Sequence, residues 1–161
     1  KLLDKGGLAS MLNTIFLILT AMAFGGMLDS TGILRQLLDQ VLRRVKRTGG
    51  LILATVGGGF ITNVLAADQF LAITLPGRLF TRAYDDRGLN RLSLSRTLED
   101  SATLTSVLIP WNTCGAFMTA TLGVATFEYA PYALFNLICP VLAVVFGYLM
   151  IAQPRVAAAS A

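Results

Sequence analysis

Leu92 to Ala116 reads LSLSRTLEDSATLTSVLIPWNTCGA, and the fold turns on how that stretch is placed. Glu99 and Asp100 stand beside the hydroxyls of Ser101, Thr103, Thr105 and Ser106, inside a chain whose other long segments are apolar. Pro110-Trp111-Asn112-Thr113 then interrupts the run, and a second apolar half follows. Ionisable side chains and broken backbone are both costly in hydrocarbon unless they line a polar cavity. Together they point to a discontinuous membrane helix built around an ion or small-solute site.

Composition agrees with that reading. Of 161 residues, 55% are hydrophobic and only 14% charged, and the mean hydropathy is +0.68, far from an ordinary soluble domain. The net charge of +4 is modest, and the Arg residues gather in two clusters, which suits orientation in a lipid bilayer rather than nucleic-acid binding. No nucleic-acid partner is expected. The chain has no His, which excludes a His metal site or a His proton relay. Cys114 and Cys139 are too far apart for a metal motif and read as buried thiols. The chain opens on Lys1 with no secretory signal pattern before its first span, so a piece of a longer protein is expected.

Upstream of the polar stretch, Ser10 to Leu28 has the length and apolarity of a spanning helix, with a rise of about 28 Å. Gly25 and Gly26 in it allow close packing. Ile33 to Arg47 is amphipathic: Ile33, Leu34, Leu37, Leu38, Val41, Leu42 and Val45 share one face, opposite the basic and polar side chains. The pattern predicts a helix lying along the membrane surface. Ser30 or Thr31 would cap it, Asp29 also reads as a capping residue, and Gly49 would stop it.

Basic residues flank Gly49 to Tyr84 on both sides, and both flanks read as cytoplasmic. A single crossing would separate them, whereas a re-entrant helical hairpin returns to the same side. Its arms are predicted at Leu51 to Ile61 and Asp68 to Leu79, each about half a membrane thick, with Thr62 to Ala67 as the tip. Gly57-Gly58-Gly59 would let the first arm approach a neighbour, and Pro76 would bend the second. Ser95 to Ile109 forms the first half of the broken helix, capped by Ser95 or Thr97. The second half starts at Asn112 or Thr113 and runs to about Phe127. Tyr132 to Ala152 is the last span, kinked by Pro140, and Gln153-Pro154-Arg155 ends it on the basic side. The expected fold is therefore an all-α membrane protein of spanning helices, a re-entrant hairpin and a discontinuous helix. It divides into a scaffold span and surface helix (1–48), a transport unit (49–130, with hairpin 49–84 and broken helix 95–127), and a final span and tail (131–161).

A broken helix offers a cation the free carbonyls and partial negative charge of its first half. Sodium, a hard cation, favours oxygen ligands by analogy with calcium and magnesium. Asn112 and Thr113 stand at the break, and Thr62 and Asn63 at the hairpin tip, so two tips meeting at mid-depth would make one site. Asp68 begins the second arm, where it would either cap that helix or ligate. Asp100 is a candidate cation or proton carrier sharing a face with Thr103, while Glu99 is expected to pair with Arg96. A carboxylate that takes either a proton or a cation couples their opposite movements. Trp111 is expected to pack and shape the site.

The run RTLEDSATLTSVLIPWNTCGAFMTATLGV, with GGMLDSTG and ITNVLAADQFLAITLPGRLF before it, closely resembles the NhaC-type sodium/proton antiporters, over nearly the whole chain and in their C-terminal part. The resemblance implies a secondary transporter made of inverted repeats, each with a hairpin and a broken helix, of which this chain is one half. Matching motifs carry the polar positions over to Asn63 and Asp68 (TNVLAAD), Asp100 and Ser101 (EDS), and Asn112 and Thr113 (PWNT). Ala102 departs from the family pattern, where a Gly is expected, and suggests a slightly straighter half-helix. The implied partners are sodium, protons, the bilayer, the N-terminal half of the same protein and a possible second copy. Neither a cofactor nor an enzyme reaction is expected. One family branch exchanges malate and lactate, and its motifs are close to these; the lack of an Arg away from loops and helix ends favours cation exchange. A channel or purely structural subunit gives no reason for Asp68, Asp100 and Asn112 at depth.

Overall fold

The computed structural model describes residues 12–45 and 47–149, whose regular elements are all helices. Helix α1 covers Leu12–Thr31 and α2 Ile33–Arg44. Helices α3, Thr48–Ala66, and α4, Gln69–Asp85, make the hairpin. The first half of the broken helix is continuous through α5, Arg91–Leu98, a π-helical turn, Glu99–Thr103, and the short α6, Leu104–Ser106. Helix α7, Thr113–Leu122, is the second half. A short α8, Thr126–Tyr129, and a 3-10 turn, Ala130–Tyr132, lead into α9, Leu134–Tyr148.

Helices α1 and α3 are each long and apolar enough to cross a membrane. The pair Thr126–Tyr132 and Leu134–Tyr148 also passes that test together, but bends by 60°. Much of this apolar surface faces outward: Phe16 is 73% exposed, Met27 60% and Phe135 68%. Water would penalise so broad an apolar exterior, whereas lipid or further protein would not. The chain is an all-α membrane protein.

The hairpin closes because Ala67 adopts a left-handed conformation, φ 55, and ends α3. Asp68 is then extended, and its Oδ1 accepts from the Leu71 amide at 3.0 Å, capping α4. Antiparallel register follows from two contacts: Thr55 meets the Tyr84 hydroxyl at 3.0 Å, and the Phe80 ring lies beside Gly58. Leu38, Leu51, Ile52, Phe80, Tyr84, Leu89, Leu94 and Leu98 form the buried core that unites α2, the hairpin and α5.

Glycines set the closest approaches. A Cβ on Gly58 would fall 2.9 Å from Leu38, and one on Gly59 3.0 Å from the Ala102 Cβ. Gly57 faces open space, and Gly26 likewise, while Gly25 packs against the Ala66 carbonyl oxygen, 2.8 Å from an added Cβ. Close packing was expected of both glycine runs; it uses Gly25, Gly58 and Gly59 only.

Several boundaries differ from expectation, each for a local reason. Gly49 does not stop α2 but lies inside α3, where Tyr148 leaves no room for a side chain. The hairpin arms are accordingly longer than half a membrane, about 28 Å for α3. Thr62 to Ala66, expected as the tip, continue α3, and only Ala67 and Asp68 turn the chain. The first half of the broken helix ends at Ser106 rather than Ile109, before Pro110 is reached. Gly32, φ 71, starts α2 without a side-chain cap. The Ser30 and Thr31 hydroxyls bond back to the Met27 and Leu28 carbonyls instead, and Asp29 offers Gly32 only its carbonyl. The apolar stripe of α2 is partly spent within the protein, since Leu34 and Leu38 are buried.

The broken helix begins at Arg91 rather than Ser95, because Asn90 Oδ1 accepts from the Leu92 amide at 3.0 Å. Its second half stops at Leu122, where Gly123 adopts φ 74. The last bend falls at Ala133, between the paired helices, while Pro140 lies inside α9. Ala102 sits in the π turn, so the half-helix there is wider, not straighter. Ser10, the far end of the last span and Gln153-Pro154-Arg155 lie outside the described residues.

Candidate functional site

The two interruptions meet. Six hydrogen bonds between five residue pairs fasten the hairpin tip to the break between α6 and α7. Asn112 Nδ2 donates to Asn63 Oδ1 at 3.1 Å and lies 3.3 Å from the Asn63 carbonyl. The Thr113 amide donates to the Ala67 carbonyl at 3.0 Å. Trp111 Nε1 donates to the Val64 carbonyl at 2.8 Å. Gln69 Oε1 accepts from Ser106 Oγ at 3.2 Å and from Cys114 Sγ at 2.7 Å.

The sequence folds this way because each break leaves backbone groups unpaired. Helix α3 ends with open carbonyls, and α7 starts with open amides. Asn112 serves both sides: its Oδ1 caps α7 through the Cys114 amide at 3.1 Å, which turns its Nδ2 toward Asn63. Asn63 is oriented the same way, since its Nδ2 donates to the Ala102 carbonyl at 2.6 Å and to Thr105 Oγ1 at 3.2 Å. These bonds fix which end of each amide is oxygen. Both Asn side chains are completely buried.

The Ala102 carbonyl belongs to the π turn, whose altered backbone pairing points it at Asn63. Gly115 lets α7 start directly against the break, because an added Cβ would collide with the Ile109 carbonyl oxygen. Two C-terminal and two N-terminal helix ends therefore converge on one buried point, with partial charges of both signs.

Of the expected site residues, Asn63, Asn112 and Thr113 come together at this knot. Asp68 is buried at the tip as the α4 cap, next to the Ala67 that Thr113 holds. Ser101 is buried one turn away on the π turn, facing Gly59, with its hydroxyl bonded to the Thr97 carbonyl at 2.6 Å. Asp100 stands apart: it lies 3.7 Å from Arg96 and is 29% exposed. Glu99 was expected to take Arg96; in this geometry Asp100 has that partner and Glu99 is exposed. Arg78, midway along α4, corrects the expectation that every Arg sits toward a loop or helix end, while Arg96 lies in the last turn of α5 where the π turn takes over. Trp111 is 52% exposed and acts as a hydrogen-bond clamp rather than as buried packing.

Sequence reasoning missed Gln69, Ser106, Cys114 and Asn136. Cys114 is half-buried and engaged with Gln69 rather than an inert core thiol. Asn136 of α9 donates to the Leu104 carbonyl at 2.8 Å, and Tyr129 donates to the Val107 carbonyl at 2.5 Å. The break is thus tied to the last helix as well as to the hairpin. Among the described residues no cluster of three or more His, Cys, Asp or Glu side chains is arranged to hold a metal. The donors at the knot are neutral amide, hydroxyl and carbonyl oxygens, a set suited to a hard monovalent cation rather than to a soft metal.

The model of the Na+/H+ antiporter family matches residues 1–151. Among curated proteins, the chain is 38% identical over 148 residues to the Na(+)/H(+) antiporter NhaC of Bacillus subtilis, covering 92% of this chain and 33% of that protein. It is 37% identical to the arginine/ornithine antiporter ArcD of Halobacterium salinarum, over 91% of this chain and 30% of that protein. It is 31% identical to the malate-2H(+)/Na(+)-lactate antiporter of Bacillus subtilis, over 91% and 31%. The chain spans about a third of the length of these relatives. No solved structure matches it. With nearly its whole length matched and its hairpin locked onto its broken helix, the chain belongs to the Na+/H+ antiporter family.

Proposed function

We propose that the protein containing this chain exchanges sodium (or lithium) for protons across the cell membrane by alternating access. The observation that supports it most is the buried Asn112–Asn63 bond, which joins two helix breaks at one point. Asn63, Ser101, Asn112 and Thr113 supply neutral oxygens to the cation, completed by the repeat outside this chain. Each amide oxygen is now held by a donor, so binding turns these side chains from one another toward the ion. Asp68 and Asp100 bind either the cation or a proton, and that competition couples the two flows. Arg96 would release Asp100 as the cation arrives, because one carboxylate cannot serve both fully. The hairpin (49–84) and broken helix (95–127) move as the transport unit against the scaffold segments 1–48 and 131–161. No bond is made or broken, so the protein is a transporter and not an enzyme.

A second reading has one observation in its favour: an Arg, Arg96, lies within the broken helix, where an organic anion would need a counter-charge. Asp100 already neutralises it, and Asp68 places a carboxylate at the α4 N-terminus that a substrate carboxylate would otherwise use. Cation exchange is the better fit.

The test uses the full-length protein in proteoliposomes with an internal pH dye. External sodium is expected to move protons, and Asp68→Asn or Asp100→Asn to reduce that movement at least tenfold. Proton movement only with malate and lactate both present would support the second reading. Conductance without saturable exchange would indicate a channel instead.

A further inference from the structure

A groove of about 840 Å3 runs between α2 and α3. Leu37, Val41, Leu53 and Ile61 line it, and Arg44 and Arg47 stand at one end. Its direction follows from two contacts: Val45 lies 3.4 Å from a Cβ built on Gly50, and Leu38 2.9 Å from one on Gly58. From Gly50 to Ile61 the floor of α3 extends about 16 Å. Gly57 opens onto the groove, and a Cβ there would meet nothing within 4 Å.

Apart from Gln40 and Tyr148 the lining is apolar along its length and basic at its mouth, and among the described residues it contains no Asp or Glu. Arg44 and Arg47 are exposed and form no ion pair among the described residues. Leu37 at 41%, Leu53 at 47% and Ile61 at 41% leave an apolar rim that lipid tails would cover. Basic residues beside a membrane helix gather on the cytoplasmic face, where anionic headgroups concentrate.

We propose that this groove binds one anionic phospholipid, with its phosphate on Arg44 and Arg47 and an acyl chain along Leu53, Gly57 and Ile61. A protein segment is the weaker occupant: it would have to bring its own acid to the rim of an otherwise apolar slot, whereas a phosphate stays at the water interface while its chain enters. The lipid would brace α2 against the hairpin without touching the ion-binding knot.

The full-length protein, purified in mild detergent, is analysed for retained lipid by native mass spectrometry. Bound phosphatidylglycerol or cardiolipin is expected, not displaced by excess phosphatidylcholine. The double variant Arg44→Gln, Arg47→Gln is expected to lower retention about 30-fold, at about 1 kcal/mol per cation. Gly57→Leu fills the slot and is expected to lower it equally with both charges intact. A phosphatidylglycerol carrying a photoreactive acyl chain tests the unaltered protein, and its label is expected on residues 50–61. Equal retention in all three proteins, or label displaced equally well by phosphatidylcholine, overturns the proposal. So does a disulfide formed in high yield in the membrane, with copper phenanthroline as oxidant, between Gly57→Cys and a second cysteine introduced into another segment of the protein.

Discussion

Asn112 and Asn63, 49 positions apart, meet through a buried side-chain bond of 3.1 Å, and each fixes the other's orientation. Asn112 can donate to Asn63 only because its oxygen is engaged by the Cys114 amide. The cap of one helix and the end of another are thus the same interaction.

Asn112→Ala removes that cap and leaves Asn63 Oδ1 buried without a donor. A lost cap costs about 1 kcal/mol, and an orphaned buried acceptor about 1–3 kcal/mol. The variant is expected to lose about 2–4 kcal/mol, visible as a lower melting temperature in detergent. Asn112→Ser, which keeps a capping oxygen, is expected to recover only the smaller part.

Asn112→Asp keeps the cap but sets an acceptor against Asn63 Oδ1. Two oxygens facing one another in a buried site are relieved by a proton or a cation between them. This variant is expected to be more stable at low pH or high sodium than at neutral pH in choline buffer. Thermal melts at low and at neutral pH, each in sodium and in choline, check it, and the parent protein is expected to show a smaller spread.

Gly115→Ala forces a methyl group into the Ile109 carbonyl oxygen, a backbone atom that cannot swing aside. The expected result is loss of folded protein, a cost above about 3 kcal/mol. Gly57→Ala, which meets open space, is expected to express at the parental level. Fluorescence-detected size exclusion of tagged full-length protein distinguishes the two.

Gly59→Ala presses on Ala102 at 3.0 Å, in the turn whose carbonyl holds Asn63. Transport is expected to fall several-fold with modest loss of stability, about 1–2 kcal/mol. Ala102→Gly in the same molecule removes the opposing methyl and is expected to restore most of it. Failure of that rescue would mean that the hairpin and π turn do not communicate through this contact.

Features carried by strong local signals were legible in the sequence. A break ahead of Asn112 and a turn into Asp68 were both readable, although the first half ends at Ser106 rather than Ile109 and the turn is confined to Ala67-Asp68. The polar residues Asn63 and Asn112 meet. Gly123 carried a stop signal for α7 that the longer apolar run obscured. The glycines of α3 misled in the other direction: low helix propensity suggested an end at Gly49, but close packing on Tyr148 outweighed it. The π turn at Glu99–Thr103 has no signature in periodicity, because it arises from one extra residue accommodated by tertiary contact. Gln69 and Cys114 were invisible for a related reason: their bond links positions 45 apart, which only the folded crossing brings together.

If the two breaks form one sodium-binding unit, a double-mutant cycle on the full-length protein measures that directly. The apparent sodium affinity is read from sodium-driven proton movement in proteoliposomes for Asn63→Ala, Asn112→Ala and the double variant. If the pair acts as a unit, each single change is expected to weaken affinity at least tenfold, and the double to be little worse than either. Parental affinity in all three variants, or losses that simply add, would contradict it.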